Sequence, residues 1–216
     1  MSDRFDLVIF DNDGVLVDSE PVANRVLAGL LTEYGVPTTV EESMAQFLGS
    51  SMPQVRARVE ERIGRRLPSD LEARYMGELY PSFQRFLRPI PGVADVLAAI
   101  RVPVCVASGG THERIRLTLT CTGLWDRFGG RVFSTQDVAR GKPAPDLFLH
   151  AAAAMGADPR RCAVIEDSPA GITGANAAGM TTFGFAALLA PKALQHATGG
   201  VFSRMAELPA LLGLSR

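Results

Sequence analysis

Lysine is nearly absent from this sequence: of 22 basic residues only Lys142 and Lys192 are lysines, and the rest are arginines. Such a bias is a trait of genome composition, but it makes each lysine easy to interrogate. A charge imbalance is missing too. The basic residues face 23 acidic ones for a formal net charge of −1, so no global field draws in nucleic acid or an anionic membrane surface. No apolar run approaches the roughly 20 residues that a membrane helix needs. The opening Met1-Ser2-Asp3-Arg4-Phe5-Asp6 puts acid ahead of only four apolar residues, unlike a secretory leader. Cysteine is scarce: Cys105, Cys121 and Cys162 form an odd set without Cys-x-x-Cys spacing, and Cys105 and Cys162 lie in apolar strand-like runs. Free thiols in such runs are small core residues. These absences lead us to expect a reduced, cytoplasmic protein with no nucleic-acid or membrane partner. They leave the oligomeric state open.

What is present is the composition of a globular protein, 47% hydrophobic and 21% charged over 216 residues. That length suffices for one full core with a smaller module attached. Five β-rich runs stand out at Leu7 to Phe10, Val102 to Ala107, Arg131 to Ser134, Cys162 to Ile165 and Thr181 to Phe185. Most lack polar alternation, as parallel strands covered on both faces do. Helical segments separate the later runs, at Thr111 to Thr120, Pro145 to Met155 and Pro169 to Ala178. Strand–helix–strand alternation predicts a doubly wound, Rossmann-like parallel α/β sheet.

The stretch from about Ser19 to Arg88 breaks that rhythm. Val22, Val26, Leu27, Leu30 and Leu31, then Val55, Val59 and Ile63, follow helical spacing, and no strand is evident. Pro89-Ile90-Pro91-Gly92 then intervenes before a further helix at Val93 to Ile100. The expected organisation is a core of residues 1–18 and 89–216, with residues 19–88 inserted after the first strand as a helical module. The hinges should fall near residues 18 and 89.

The strongest local signal is Asp11-Asn12-Asp13-Gly14-Val15-Leu16-Val17-Asp18-Ser19-Glu20, which begins where the first apolar run ends. Ligands of open α/β sheets bind at the carboxyl ends of strands. Two carboxylates separated by one residue approach a common point there, and Gly14 lets the backbone turn. Crowded acids of this kind call for a cation, and oxygen ligands favour Mg²⁺; the same residues also suit a surface Asx turn. Three further strand ends tilt the balance. The second run closes in Ser108, with Gly109-Gly110 exposing amides before a helix start, which suits an anion such as phosphate. One of the two lysines, Lys142, follows the third run, and Glu166-Asp167 closes the fourth.

These motifs, with the Gly141-Lys142-Pro143-Ala144-Pro145-Asp146 and Val164 to Gly171 stretches, resemble the haloacid dehalogenase superfamily. The likeness is to the branch of phosphoglycolate phosphatases, sugar phosphatases and β-phosphoglucomutases, with a helical cap. It extends over essentially the whole chain. The family's first motif has an apolar or aromatic residue where Asn12 stands here, and often Thr where Val15 stands. The resemblance implies a Mg²⁺-dependent phosphatase acting on a small phosphorylated metabolite. Asp11 would be the nucleophile, and Asp13 the general acid and then base. Ser108, Gly109 and Lys142 would hold the phosphoryl group. Asp11, Asp13 (through its carbonyl) and Asp167 would bind the metal, with Glu166 as a helper.

The cap is what touches the leaving group in this family, so Glu20, Asn24, Ser50, Ser51, Gln54 and Arg56 are candidates there. His112, after the Ser108 loop, either points at substrate or faces solvent, and the second reading is preferred. For the basic run around Arg56 a solvated face paired with Glu60 and Glu61 is the preferred reading. A β-phosphoglucomutase is the alternative activity. Relatives of that kind carry a hinge histidine where Ala23 stands and a cap arginine near Met52, so hydrolysis is favoured. A dehalogenase would not need Asp13 or Asp167, and an inactive binding module would not be expected to keep every motif acid.

Overall fold

The structure, a computed structural model, describes residues 4–214. Met1 to Asp3, on which the expectation of no secretory leader partly rests, lie outside them. The chain divides into two compact units, one of Met1–Val17 with Arg88–Arg216 and the other of Asp18–Leu87. Among the described residues no helix is long and apolar enough to cross a membrane.

The chain opens on β1 (Leu7–Phe10) and then enters the second unit with α1 (Ser19–Glu33), α2 (Val40–Phe47), α3 (Met52–Ile63) and α4 (Leu71–Phe86). It returns through α5 (Val93–Ala99), β2 (Val104–Ser108), α6 (His112–Cys121), α7 (Trp125–Phe128) and β3 (Val132–Ser134). There follow α8 (Asp146–Ala154), β4 (Cys162–Glu166), α9 (Pro169–Ala177), β5 (Thr181–Phe185), β6 (Gly200–Phe202) and α10 (Leu208–Leu211).

The six strands form one sheet in the order β3-β2-β1-β4-β5-β6, and every pairing is parallel. Leu7, Ile9, Cys105, Ala107, Cys162 and Val164 pack on one face with Leu147 and Phe148 of α8 and Ala175 of α9. On β1 the intervening Phe10 meets Phe128 of α7 edge-on. Both faces of the central strands are therefore apolar, which is why these runs lack alternation. The strand order reverses between β1 and β4, so their carboxyl ends open the crevice where doubly wound sheets place ligands.

Element boundaries differ from the sequence expectations for local reasons. Strand β2 starts at Val104 rather than Val102, since Pro103 has no N–H to give a ladder. It runs on to Ser108, which is in register with Ser134 of β3. Strand β6 has no counterpart among the expected runs. Its three residues begin at Gly200 and follow Gly199, a stretch that reads as a loop; parallel pairing to β5 and the Phe185–Phe202 ring contact hold it in the sheet.

The helical unit buries Leu30, Leu31, Val55, Val59, Leu71, Leu79 and Phe83 at helical spacing. Its turns are chemically specified. Thr39 and Glu42 close α2 with a reciprocal capping box. Gly64 ends α3 in the left-handed conformation, at φ 66°.

Candidate active site

Asp11 is the first residue after β1, and its amide donates to the Ile165 carbonyl of β4 at 3.0 Å. This ties the nucleophile candidate to the strand that ends in Glu166. The two strand ends are neighbours only because β1 and β4 pair. Lys142 joins them: its Nζ donates to Asp11 Oδ1 at 2.7 Å and to Glu166 Oε1 at 2.5 Å. All three are deeply buried, Glu166 completely so. Burial raises the Asp11 pKa to about 7; Lys142 opposes this, while Glu166 and Asp13 push further upward. Burial by itself would lower the Lys142 pKa, but the two carboxylates outweigh it and the group is held firmly protonated.

Glu166 is fixed from its other side by the start of α9. Its Oε2 accepts from the Ser168 amide at 3.0 Å and the Ser168 hydroxyl at 2.8 Å. The same hydroxyl oxygen accepts from the Gly171 amide at 3.0 Å and so caps the helix. Gly171 is obligatory in this packing, since a Cβ there would lie 1.8 Å from Glu166 Oε1. Gly171→Ala is expected to expel Glu166 and cost about 3 kcal/mol, the scale of a disrupted buried pair. Gly29→Ala, where nothing lies within 4 Å, should instead gain about 0.5–1 kcal/mol of helix stability. Urea unfolding of the two variants checks this pair of opposite signs.

Asp167 faces the loop after β1. Gly14 has φ +77°, and a Cβ on it would lie 2.0 Å from Asp167 Oδ2. The missing side chain is thus what seats this carboxylate. Oxygens of Asp11, Glu166 and Asp167 all lie within 4.8 Å of one another. An oxygen-only set of three acids seated against a glycine turn fits a hard divalent cation such as Mg²⁺. The Asp13 carboxylate is outside that cluster: Oδ1 accepts from Arg114 at 2.9 Å and Oδ2 from Asn12 Nδ2 at 3.3 Å.

Ser108 is buried at the end of β2, with its Oγ accepting from the Gly110 amide at 3.1 Å. Ser134 and Thr135 hydroxyls donate to the carbonyls of Gly110 and Gly109, so the Ser108 loop is held from β3. The loop carrying Lys142 is seated against α9 at Gly174, where a Cβ would meet the Ala144 carbonyl at 2.9 Å.

A family model for haloacid dehalogenase-like hydrolases matches residues 5–179. The chain belongs to this family. It is 32% identical over 209 residues to the 6-phosphogluconate phosphatase of Escherichia coli, covering 96% of this chain and 95% of that one. Among solved structures, a haloacid dehalogenase-like protein of unknown function from Agrobacterium tumefaciens is similar with TM-score 0.87 and 39% identity, over 97% and 98% of the two chains. A family hydrolase from Deinococcus radiodurans, crystallised with phosphate and sodium, gives TM-score 0.85 and 32% identity, over 99% and 98%. Sequence and fold therefore agree on a haloacid dehalogenase-like hydrolase of the phosphatase branch.

This hydrolase engages its other candidates locally. The His112 amide donates to Gln136 Oε1, and its ring Nε2 lies 2.7 Å from Asp137 Oδ1. The half-exposed imidazole is thus tied to the turn after β3. Asn24 Nδ2 donates to Glu20 Oε2 and its Oδ1 accepts from Ser43 Oγ, inside the helical unit. Gln54 Oε1 accepts from the amide and hydroxyl of Ser51, and Ser50 Oγ accepts from Arg58. Arg56 donates to Glu60 and to the carbonyls of Leu67 and Pro68, which clamps the chain between α3 and α4. This bonding gives Arg56 a structural task within the helical unit.

Arg114, Ser168 and Gly171 went unrecognised as site residues in the sequence. One signal for Arg114 was available. It lies four residues before Thr118 on α6, and residues so spaced share a helix face.

Proposed function

We propose that the chain is a Mg²⁺-dependent phosphatase that hydrolyses a small phosphorylated metabolite through a phosphate carried on Asp11. The observation that carries this reading is the buried contact of Lys142 with Asp11 and Glu166, next to the acid cluster completed by Asp167. A nucleophile, a fixed cation and a hard-metal donor set meet at the sheet's switch point.

The Asp11 carboxylate attacks phosphorus in line, and the bond from phosphorus to the metabolite's oxygen breaks. Asp13 delivers a proton to that departing oxygen. Asp13, now a base, takes a proton from water, which attacks phosphorus and frees Asp11 and inorganic phosphate. Lys142 and Ser108, with the amide of Gly109, hold the transferring oxygens. Lys142 also offsets repulsion between Asp11 and the incoming phosphoryl group. Asp11 and Asp167, with the Asp13 carbonyl and the aid of Glu166, would hold Mg²⁺, which would neutralise the phosphoryl charge. Both Glu166 oxygens are already engaged by Lys142 and Ser168, which favours an indirect role for that residue.

The helical unit takes the role of cap in this reading. Similarity to a 6-phosphogluconate phosphatase makes phosphorylated sugars and sugar acids the first substrates to test. Hydrolysis is preferred to mutase chemistry because Ala23, buried in α1, has no proton-carrying group. Phosphate release is to be measured across a panel of sugar phosphates while Mg²⁺ is titrated. Excess chelator should lower the rate at least about 100-fold, and added Mg²⁺ should restore it. Asp167→Asn should raise the Mg²⁺ needed for half-maximal rate at least about tenfold. Full activity in chelator would contradict the proposal.

A further inference from the structure

Helix α6 grips the loop that follows β1 at two points on one face. Asn12 is fully buried and donates to Thr118 Oγ1 at 3.1 Å, while Arg114, one turn earlier, pairs with Asp13 at 2.9 Å. Thr118 is itself anchored by donating to the Ile115 carbonyl. The Arg114 backbone is held as well, since its amide donates to the capping hydroxyl of Thr111 at 3.2 Å. An arginine in the first turn of a helix meets the unfavourable end of the helix dipole. Its place there is not explained by helix stability, whereas the carboxylate it reaches explains it. Both members of the pair are about one-fifth exposed, so solvent screens the contact only in part.

We infer that Arg114 is the positioning residue of the acid–base step, holding the Asp13 carboxylate in the orientation from which it exchanges protons with the departing oxygen and with water. The inference rests on the role given to Asp13 above. Asn12 completes the hold, because its Nδ2 reaches both Thr118 Oγ1 and Asp13 Oδ2. An unbranched carboxylate at a loop turn has several rotamers, and a group that must meet two different oxygens gains rate from being confined to one.

The test is a double-mutant cycle on kcat and KM with two leaving groups. Phenyl phosphate departs poorly without a proton, and 4-nitrophenyl phosphate departs well. Arg114→Ala should lower kcat for phenyl phosphate about 30-fold, less than the roughly 10²–10⁴-fold of removing the acid–base group itself, with KM changed less than about threefold. The loss should be smaller in the leaving-group burst of the nitrophenyl ester, and Arg114→Lys should recover most of it. Adding Arg114→Ala to Asp13→Asn should cost no more than about twofold beyond Asp13→Asn alone, since residues acting as a unit are non-additive. If Arg114→Ala does not fold, Arg114→Gln takes its place in the same cycle. Additive losses, or a loss carried by KM, would overturn the inference and leave the function of Asp13 standing. Should Asp13→Asn itself turn over both esters at the wild-type rate, the acid–base reading fails first and the inference falls with it.

Discussion

Asp13→Asn is expected to load phosphate onto Asp11 and stall there. The residue is asked for different things in the two half-reactions: a proton for the leaving oxygen, then a base for water. Asparagine can do neither. Turnover of a sugar phosphate should fall by about 10²–10⁴-fold, the usual range for removing a general acid–base group. A nitrophenyl ester leaves without needing the proton, so the first half-reaction survives and the second does not. Quenched-flow should show a burst of nitrophenolate near one equivalent of enzyme, followed by almost no steady rate. Intact-protein mass should rise by one phosphoryl group, and the adduct should survive acid and be lost in base. Wild-type steady turnover of the ester by Asp13→Asn, with no phosphoprotein, would remove Asp13 from the base role.

Lys142→Ala should cost about 10³-fold in rate, whereas Lys192→Ala should change it less than about twofold. The two substitutions remove the same charge from the same small set of lysines. Lys142 is buried between Asp11 and Glu166, and Lys192 is exposed in a late turn. The first variant should also lose about 3–5 kcal/mol, because two buried carboxylates are left without their cation. The sign of its pH dependence follows from Asp11. A carboxyl whose folded pKa is raised, here from 3.8 to about 7, destabilises the fold as pH climbs through that window. Lys142 opposes that rise, so without it the Asp11 pKa climbs further and the stability deficit should widen from about pH 4 to above pH 7. Urea titrations in chelator at several pH values measure the widening. Equal behaviour of the two lysine variants would argue against the site.

The acids and Ser108 were legible because they stand at or just past strand ends. Asp11, Ser108 and Glu166 directly close or follow apolar runs of Leu7–Phe10, Val104–Ser108 and Cys162–Glu166. Such runs are recognisable without any knowledge of which strand neighbours which. Lys142 stood out through rarity. By contrast, Arg114 is one arginine among many, and its spacing on α6 only gains meaning once that helix is known to lie against the loop of Asn12 and Asp13. Gly171 and Ser168 were hidden for a similar reason. A small residue near a helix start has many ordinary uses, and only the packed Glu166 carboxylate makes it indispensable. Strand β6 was missed because three residues beginning with glycine carry almost no periodicity.

The sequence by itself determined the α/β alternation and a long stretch without strands, and it nominated the residues proposed here for phosphoryl transfer. Those are local properties, set by side-chain period, turn chemistry and functional groups. Only the tertiary structure decided which of them meet. Strand order 3-2-1-4 makes β1 the neighbour of β4, and this brings Asp11 within one lysine of Glu166 although Lys142 itself is 131 residues from Asp11. It also decided that the Glu166 carboxylate accepts from both Lys142 and Ser168, and that Arg114 pairs with the Asp13 carboxylate. The physical reason is that pairing across a sheet and burial beside a charge are long-range, and no window of the chain records them.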